Sequence, residues 1–321
     1  MRTLYHFLRL VRLLNLLVII LVMIVIQLFL KQDVLQNINF ILLIVSTVLI
    51  ASAGNIINDY FDVKADRINK PKRLIIGKYI KRRWAMVWHW FFNVLGLCIA
   101  LFIGYKLQNV WMPIIAFLSI NLLWFYSVYY KRKSFIGNLI VAFLIGILPL
   151  YVLIFNLPIE NFILPDNSNI IYARYFIDIV ALVSALAFLI NLIREIVKDI
   201  QDVRGDMRLG AQTLPIKYGI KKTKLLVVFI FFLTSFVMII YLYKYQTWKE
   251  VFYNTLMRFN NENPTDSDLL FYGVLALSFI FLLLAVISIL IGNQIKNYKI
   301  ASILLKISMI LGVLTPLLTA L

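Results

Sequence analysis

The sequence predicts an all-α polytopic membrane protein with nine transmembrane helices. Three observations predict it. Of its 321 residues, 62% are apolar and only 15% are charged, and mean hydropathy is +0.90. A soluble domain is nearer half apolar and a quarter charged. The apolar residues gather in long runs separated by polar joints, and the basic residues crowd alternate joints. A water-soluble globule of this size has too little interior for so much apolar side chain, so an ordinary soluble enzyme and a disordered chain are both excluded. Lipid cannot satisfy a backbone, which leaves helices or closed barrels, and the runs lack the alternation of barrel strands.

The elements follow in order. The first span lies near 13–30, and no A-x-A-like cleavage site follows it, so it reads as a span rather than a removable leader. The second, 38–58, closes on Asn55, Asn58, Asp59, Asp62 and Asp66. The third, 84–105, carries His89 between Trp88 and Trp90, expected as interfacial anchors, and Cys98, expected as a packed apolar residue. The fourth, 109–130, closes on Y-S-V-Y-Y-K-R-K from Tyr126 to Lys133, which reads either as an aromatic belt with basic anchors or as part of a site. The fifth, 135–155, begins at Gly137 and Asn138, which form a turn or shape a pocket. The sixth, 172–195, closes on Glu195, Asp199, Asp202 and Asp206. The seventh, eighth and ninth lie near 222–243, 268–291 and 300–320. Each reaches across ~30 Å of hydrocarbon at ~1.5 Å per residue. The longest connections, 156–171 and 244–267, are polar, hold Pro158, Pro165 and Pro264, and read as surface loops. The chain reads as one transmembrane domain over 1–321.

Charge sets the orientation. With the N-terminus inside, 26 of the 32 Lys and Arg fall on the cytoplasmic side and six on the other. The positive-inside rule therefore predicts a cytoplasmic N-terminus and an external C-terminus. The net charge of +17 suits anionic lipid or an anionic substrate, and no nucleic-acid partner is expected. One cysteine and two histidines leave no internal disulfide, thiolate cage or histidine metal site.

Six of the fifteen acidic residues form two trios, Asp59, Asp62, Asp66 and Asp199, Asp202, Asp206. Spacings of three and then four put each trio on one helix face. Three carboxylates at a helix C-terminus repel one another and oppose the helix dipole, so something must offset them. Mg²⁺ suits such all-oxygen clusters. Basic residues surround both trios: Arg67, Lys70, Lys72 and Arg73 at the first, Arg194, Lys198, Arg204 and Arg208 at the second. Carboxylates beside cations are what a magnesium-bound diphosphate needs, because metal bridges carboxylate to phosphate while Arg and Lys take the remaining charge. Spans two, four and six all run inward, so both trios and the Tyr126–Lys133 element end on the cytoplasmic face. That face has room for a charged diphosphate head to dock, with an attached lipid tail lying among the helices, which is the geometry expected of an enzyme acting on an amphiphile.

Two stretches carry a family resemblance. G-N-I-I-N-D-Y-F-D-V-K-A-D-R-I-N-K-P-K-R, from Gly54 to Arg73, resembles the first aspartate motif of the UbiA superfamily of intramembrane prenyltransferases. R-E-I-V-K-D-I-Q-D-V-R-G-D-M-R-L-G-A-Q-T-L-P-I-K-Y-G, from Arg194 to Gly219, resembles the second. Within that superfamily, these stretches and Y-S-V-Y-Y-K…G-N (Tyr126 to Asn138) look most like the digeranylgeranylglyceryl phosphate synthases, which transfer a geranylgeranyl group to geranylgeranylglyceryl phosphate. The resemblance implies a central pocket with a cytoplasmic cap. It implies Mg²⁺ held on the diphosphate by Asn58, Asp59, Asp62 and Asp66 and by Asp199, Asp202 and Asp206. Arg67 and Arg73 would contact phosphate oxygens, and Tyr126 and Lys131 would line the pocket, as would Asn15 after Arg12. Lys198 and Arg204 join the substrate-binding set through their place beside the second trio. The family commonly continues R-P-I-P-x-G, whereas Arg73 is followed here by Leu74, Ile75, Ile76 and Gly77, which alters the cap and bears on acceptor choice.

The expected partners are a prenyl diphosphate donor, a lipid-soluble acceptor and membrane lipids. The expected chemistry is ionisation of the allylic C–O bond and capture of the cation by the acceptor, with Tyr126 stabilising the cation by cation–π contact. An aromatic acceptor, as in quinone synthesis, is the alternative substrate. A divalent-cation transporter is the alternative class, disfavoured because the carboxylates lie at one membrane face.

Overall fold

The computed structural model describes residues 2–30, 32–69, 71, 74–156, 167–256, 266–292 and 294–318, and among these it is helical with no strand ladder. Ten helices follow in chain order. They are α1 (Arg2–Leu10), α2 (Leu13–Phe29), α3 (Ile38–Asn69), α4 (Arg82–Lys106), α5 (Trp111–Val128), α6 (Ile136–Asn156), α7 (Asn167–Arg208), α8 (Leu214–Leu256), α9 (Asp266–Ile291) and α10 (Ile295–Leu318). Eight of them, α3 to α10, are long and apolar enough to cross a membrane, and the pair α1–α2, bent by 57°, gives a ninth crossing if taken as one broken span. The protein is an integral membrane protein.

The bend has a local cause. Arg12 adopts the left-handed conformation at φ 58°, ψ 55°, between the two short helices. A non-glycine residue holds that conformation only when its surroundings compensate. Arg12 is held by an ion pair described below.

The buried centre is α7, which packs on α6, α8, α10 and α3. Its Ile179, Val180, Val183, Ile193, Ile196 and Val197 are all buried. The outward faces are apolar as well: Phe117, Phe229, Phe232 and Ile239 are exposed, as lipid-facing side chains must be. Without a hydrophobic drive between helices, close contact depends on small residues. A Cβ on Gly146 of α6 would stand 2.8 Å from Phe188 Cβ and 3.1 Å from the Ser184 carbonyl oxygen of α7, so only glycine fits that approach. The Ser46 hydroxyl ties α3 to α4 by donating to the Gly96 carbonyl at 2.7 Å.

Several helices overrun the predicted spans at their polar ends. α3 continues eleven residues past 58, carrying the first trio, and α7 continues through Arg208 with the second. Gly210, at φ 68°, follows as the left-handed residue that ends many helices. The two predicted long loops are shorter than expected, because α7 starts at Asn167 and α8 runs to Leu256. The intervening 157–166 and 257–265, with Pro158, Pro165 and Pro264, lie outside the described residues.

Two readings are corrected. His89 is not an interfacial anchor: it is buried, its Nδ1 lies 3.0 Å from the Ala53 carbonyl oxygen, and its ring packs on Trp124. Cys98 is exposed on α4, on a lipid-facing surface rather than in the packed interior. Both residues lie on an amphiphilic run whose inward face the sequence pattern does not mark.

Candidate active site

The C-terminal ends of α3 and α7, the start of α6 and the turn after α5 meet at one end of the bundle. The α5–α6 connection is a single 3-10 turn, Tyr130–Arg132. It is pinned to the connection between α7 and α8 by the Gln212 N–H, which donates to the Arg132 carbonyl at 2.8 Å. That contact puts Lys131 between the two trios.

Lys131 donates to the Asn58 side-chain oxygen at 2.8 Å and forms an ion pair with Asp62. Burial works against the Lys131 ammonium, but Asp62 and Tyr126 outweigh it and hold its pKa above the ordinary lysine value. Tyr126, half-buried, lies within the electrostatic reach of Lys131, Glu195, Asp62 and Asp199. On the α7 side, the Asn138 amide donates to Asp199 Oδ2 at 2.9 Å. Asn138 is itself buried, so this bond fixes one carboxylate of the second trio from α6. Arg12 closes the other flank, donating to Asp59 Oδ1 at 2.6 Å. The bend between α1 and α2 thereby delivers a guanidinium to the first trio.

The remaining predicted residues are distributed as follows. Asp66, Asp202 and Asp206 sit on the same helix ends, each with further interactions. Arg67 and Arg204 are exposed there. Lys198 pairs with buried Glu195, which also accepts from Arg194 at 3.2 Å. Asn15 accepts from Lys306 of α10 at 2.9 Å. Arg73 lies outside the described residues. Sequence reasoning passed over Arg12 and Lys306 as site residues and left Asn138 open between a turn and the pocket. Asn138 was legible as a polar residue in an apolar run; the other two acquire meaning only from contacts across the bundle.

Among the described residues, no three Asp, Glu, His or Cys side chains converge into a preformed metal cage. The donor set is nonetheless hard oxygen throughout: Asn58, Asp59 and Asp62 from α3, and Asp199 from α7. Such donors fit Mg²⁺, which binds through one or two carboxylates and completes its shell with water and substrate phosphate. A cage is not needed for that mode. The site therefore offers carboxylates for a hard cation and ammonium and guanidinium groups for phosphate, at the mouth of an apolar bundle.

Comparison with known proteins points the same way. A family model described as the UbiA prenyltransferase family matches residues 16–257. Digeranylgeranylglyceryl phosphate synthase of Thermococcus gammatolerans is 38% identical over 171 residues, 53% of this chain and 54% of that protein. The protein of the same name from Pyrococcus horikoshii is 39% identical over 184 residues, 57% and 58% of the two chains. The chain thus spans just over half the length of these curated relatives. A solved structure concerned with digeranylgeranylglyceryl phosphate synthase in membranes covers 100% of this chain and 99% of its own, with 26% identity and a TM-score of 0.65. A UbiA homologue from Archaeoglobus fulgidus, solved bound to DMAPP and Mg²⁺, shares the fold at 14% identity and a TM-score of 0.51, with 96% of this chain and 99% of that one covered.

Proposed function

The chain belongs to the UbiA prenyltransferase family, and from that premise we propose that it transfers a geranylgeranyl group from its diphosphate to geranylgeranylglyceryl phosphate, with Mg²⁺ as cofactor. One observation carries the reading. The carboxylates of α3 and α7 meet at one end of the bundle with Lys131, Arg12 and Asn138 between and around them. The names of the relatives that cover half of the chain support the substrate, and the Mg²⁺ and prenyl diphosphate bound to the Archaeoglobus homologue support the cofactor and donor.

In this reading Asn58, Asp59, Asp62 and Asp66, with Asp199, Asp202 and Asp206, supply oxygen ligands to Mg²⁺. When bound, Mg²⁺ neutralises diphosphate charge and makes it a better leaving group. Lys131, Arg12, Arg67, Arg73 and Arg204 take the phosphate oxygens that metal leaves unsatisfied. Tyr126 presents an aromatic ring to the allylic cation. The apolar bundle keeps water from that cation until the acceptor hydroxyl forms the new C–O bond. The hydroxyl proton passes to a carboxylate or to departing diphosphate, since the site holds no histidine base. The N-terminus and the site face the cytoplasm in this reading, which the distribution of Lys and Arg supports.

The test uses purified protein in nanodiscs with Mg²⁺, geranylgeranyl diphosphate, and either geranylgeranylglyceryl phosphate or a panel of aromatic acids. Mass spectrometry should find the doubly alkylated glycerol phosphate. Asp62→Ala and Asp202→Ala should each lose most turnover. Product with an aromatic acid alone would replace the acceptor, and the absence of any metal-dependent product would reject the reaction.

A further inference from the structure

Lys306 is an unusual residue for its place. It stands eleven residues into α10 from Ile295, about 16 Å along the helix axis. It donates to a neutral partner, Asn15 of α2. Arg194 of α7 repels it from across the same space. Arg194 has its own deficit: its Nε is buried without a hydrogen-bond partner, while its Nη1 is divided between Asn191 at 3.4 Å and Glu195 at 3.2 Å. Lys198 leans on the same Glu195. Arg194 and Lys198 therefore share one buried carboxylate, and Lys306 adds a third cation, held by a neutral amide, where α7, α10 and α2 pack together. Uncompensated charge at such depth is costly and marks a site by default.

We propose that Lys306, Arg194 and Lys198 form a recessed subsite for the phosphate monoester of the lipid acceptor. The inference rests on the reaction proposed above and assigns the part of the site that its donor does not use. The charge fits: the surplus of two positive charges matches a phosphate monoester, which carries about −1.5 to −2 near neutrality. The composition fits too. A metal-bridged diphosphate needs several carboxylates among its cations, as the ends of α3 and α7 provide with their two aspartate trios. Here the one carboxylate, Glu195, is already engaged by Arg194 and Lys198, so the subsite suits an anion that arrives without metal. Asn15 orients the Lys306 ammonium, and the unpartnered Arg194 Nε supplies a second donor.

The test compares the wild type with Lys306→Gln and Lys306→Arg in nanodiscs, in two arms. The first measures binding without turnover, using a single-chain glycerol phosphate lipid and its uncharged glycerol counterpart. Lys306→Gln should weaken the phosphate lipid by about tenfold or more, the loss expected for a charge-assisted hydrogen bond, and leave the uncharged lipid unaffected. Lys306→Arg should recover most of the affinity. The second arm measures kinetics with Mg²⁺, where Lys306→Gln should raise KM for geranylgeranylglyceryl phosphate by a similar factor and leave KM for geranylgeranyl diphosphate unchanged. A rise in the donor KM instead would assign these cations to the diphosphate and overturn the proposal, as would unchanged binding. Should the glutamine variant fail to fold, Lys306→Met preserves the apolar stem and gives the same readouts. Lys306-dependent binding in a protein that makes no ether product would keep the subsite and reject the reaction.

Discussion

Lys131 touches both Asn58 and Asp62, so its charge is as much a part of the first trio as the carboxylates are. Its pKa is held above the ordinary lysine value, so the favourable pairing is fully present below that value and is lost only as pH rises through the higher one. The pH–rate profile should therefore show no alkaline loss from this residue below about pH 10, which a comparison of the wild type with Lys131→Arg checks. Asn138 makes a separate prediction. Removing its amide leaves Asp199 without its donor from α6, so Asn138→Ala should raise the Mg²⁺ concentration for half-maximal rate by about tenfold, the scale of lost outer-shell support. A metal titration of the purified variant measures this. The aspartates were legible in the sequence because acidic residues are scarce in an apolar chain and their spacing repeats. Arg12 and Lys306 were not, because each gains its role from a partner 47 or 291 residues away, and periodicity carries no record of such pairings.

At the level of elements, the spans were legible from apolar run length, and their polar overhangs were not. Helix α3 does not stop where hydropathy falls at 58; it continues to Asn69 and so lifts Asp59, Asp62 and Asp66 on a rigid rod. The inward face of α4 was also illegible, since polar His89 and Asn93 are buried while apolar Trp90, Phe91 and Cys98 face outward, the reverse of the pattern that marks a buried face in water. Contact between α6 and α7 rests on Gly146. Gly146→Leu should lower the thermal midpoint in detergent, by an overpacking cost of about 1–3 kcal/mol. Because α6 carries Asn138 and α7 carries Asp199, the same substitution should raise the Mg²⁺ requirement as well, and Leu at lipid-facing Phe143 should do neither.

For the whole molecule, the lone cysteine makes orientation straightforward to measure. In a Cys98→Ser background, Gln36→Cys and Lys133→Cys place single thiols at opposite ends of the bundle. A membrane-impermeant maleimide applied to intact cells should label the first and spare the second; the reverse pattern would invert the protein. The site itself also belongs to the whole chain, since its charges come from α3, α7, the α5–α6 turn and the bend before α2. These charges neutralise one another in the structure, Arg12 on Asp59 and Lys131 on Asp62. Either ligand arriving alone must strand half of each pair: a metal takes the carboxylate and abandons the cation, and a diphosphate does the opposite. Arriving together, they exchange partners with nothing left over. Under the proposed reaction, metal and donor are thereby thermodynamically linked, and each should tighten the other by the same factor. Calorimetric titration of one in the presence and absence of the other reads that factor directly, and Arg12→Gln should shrink it.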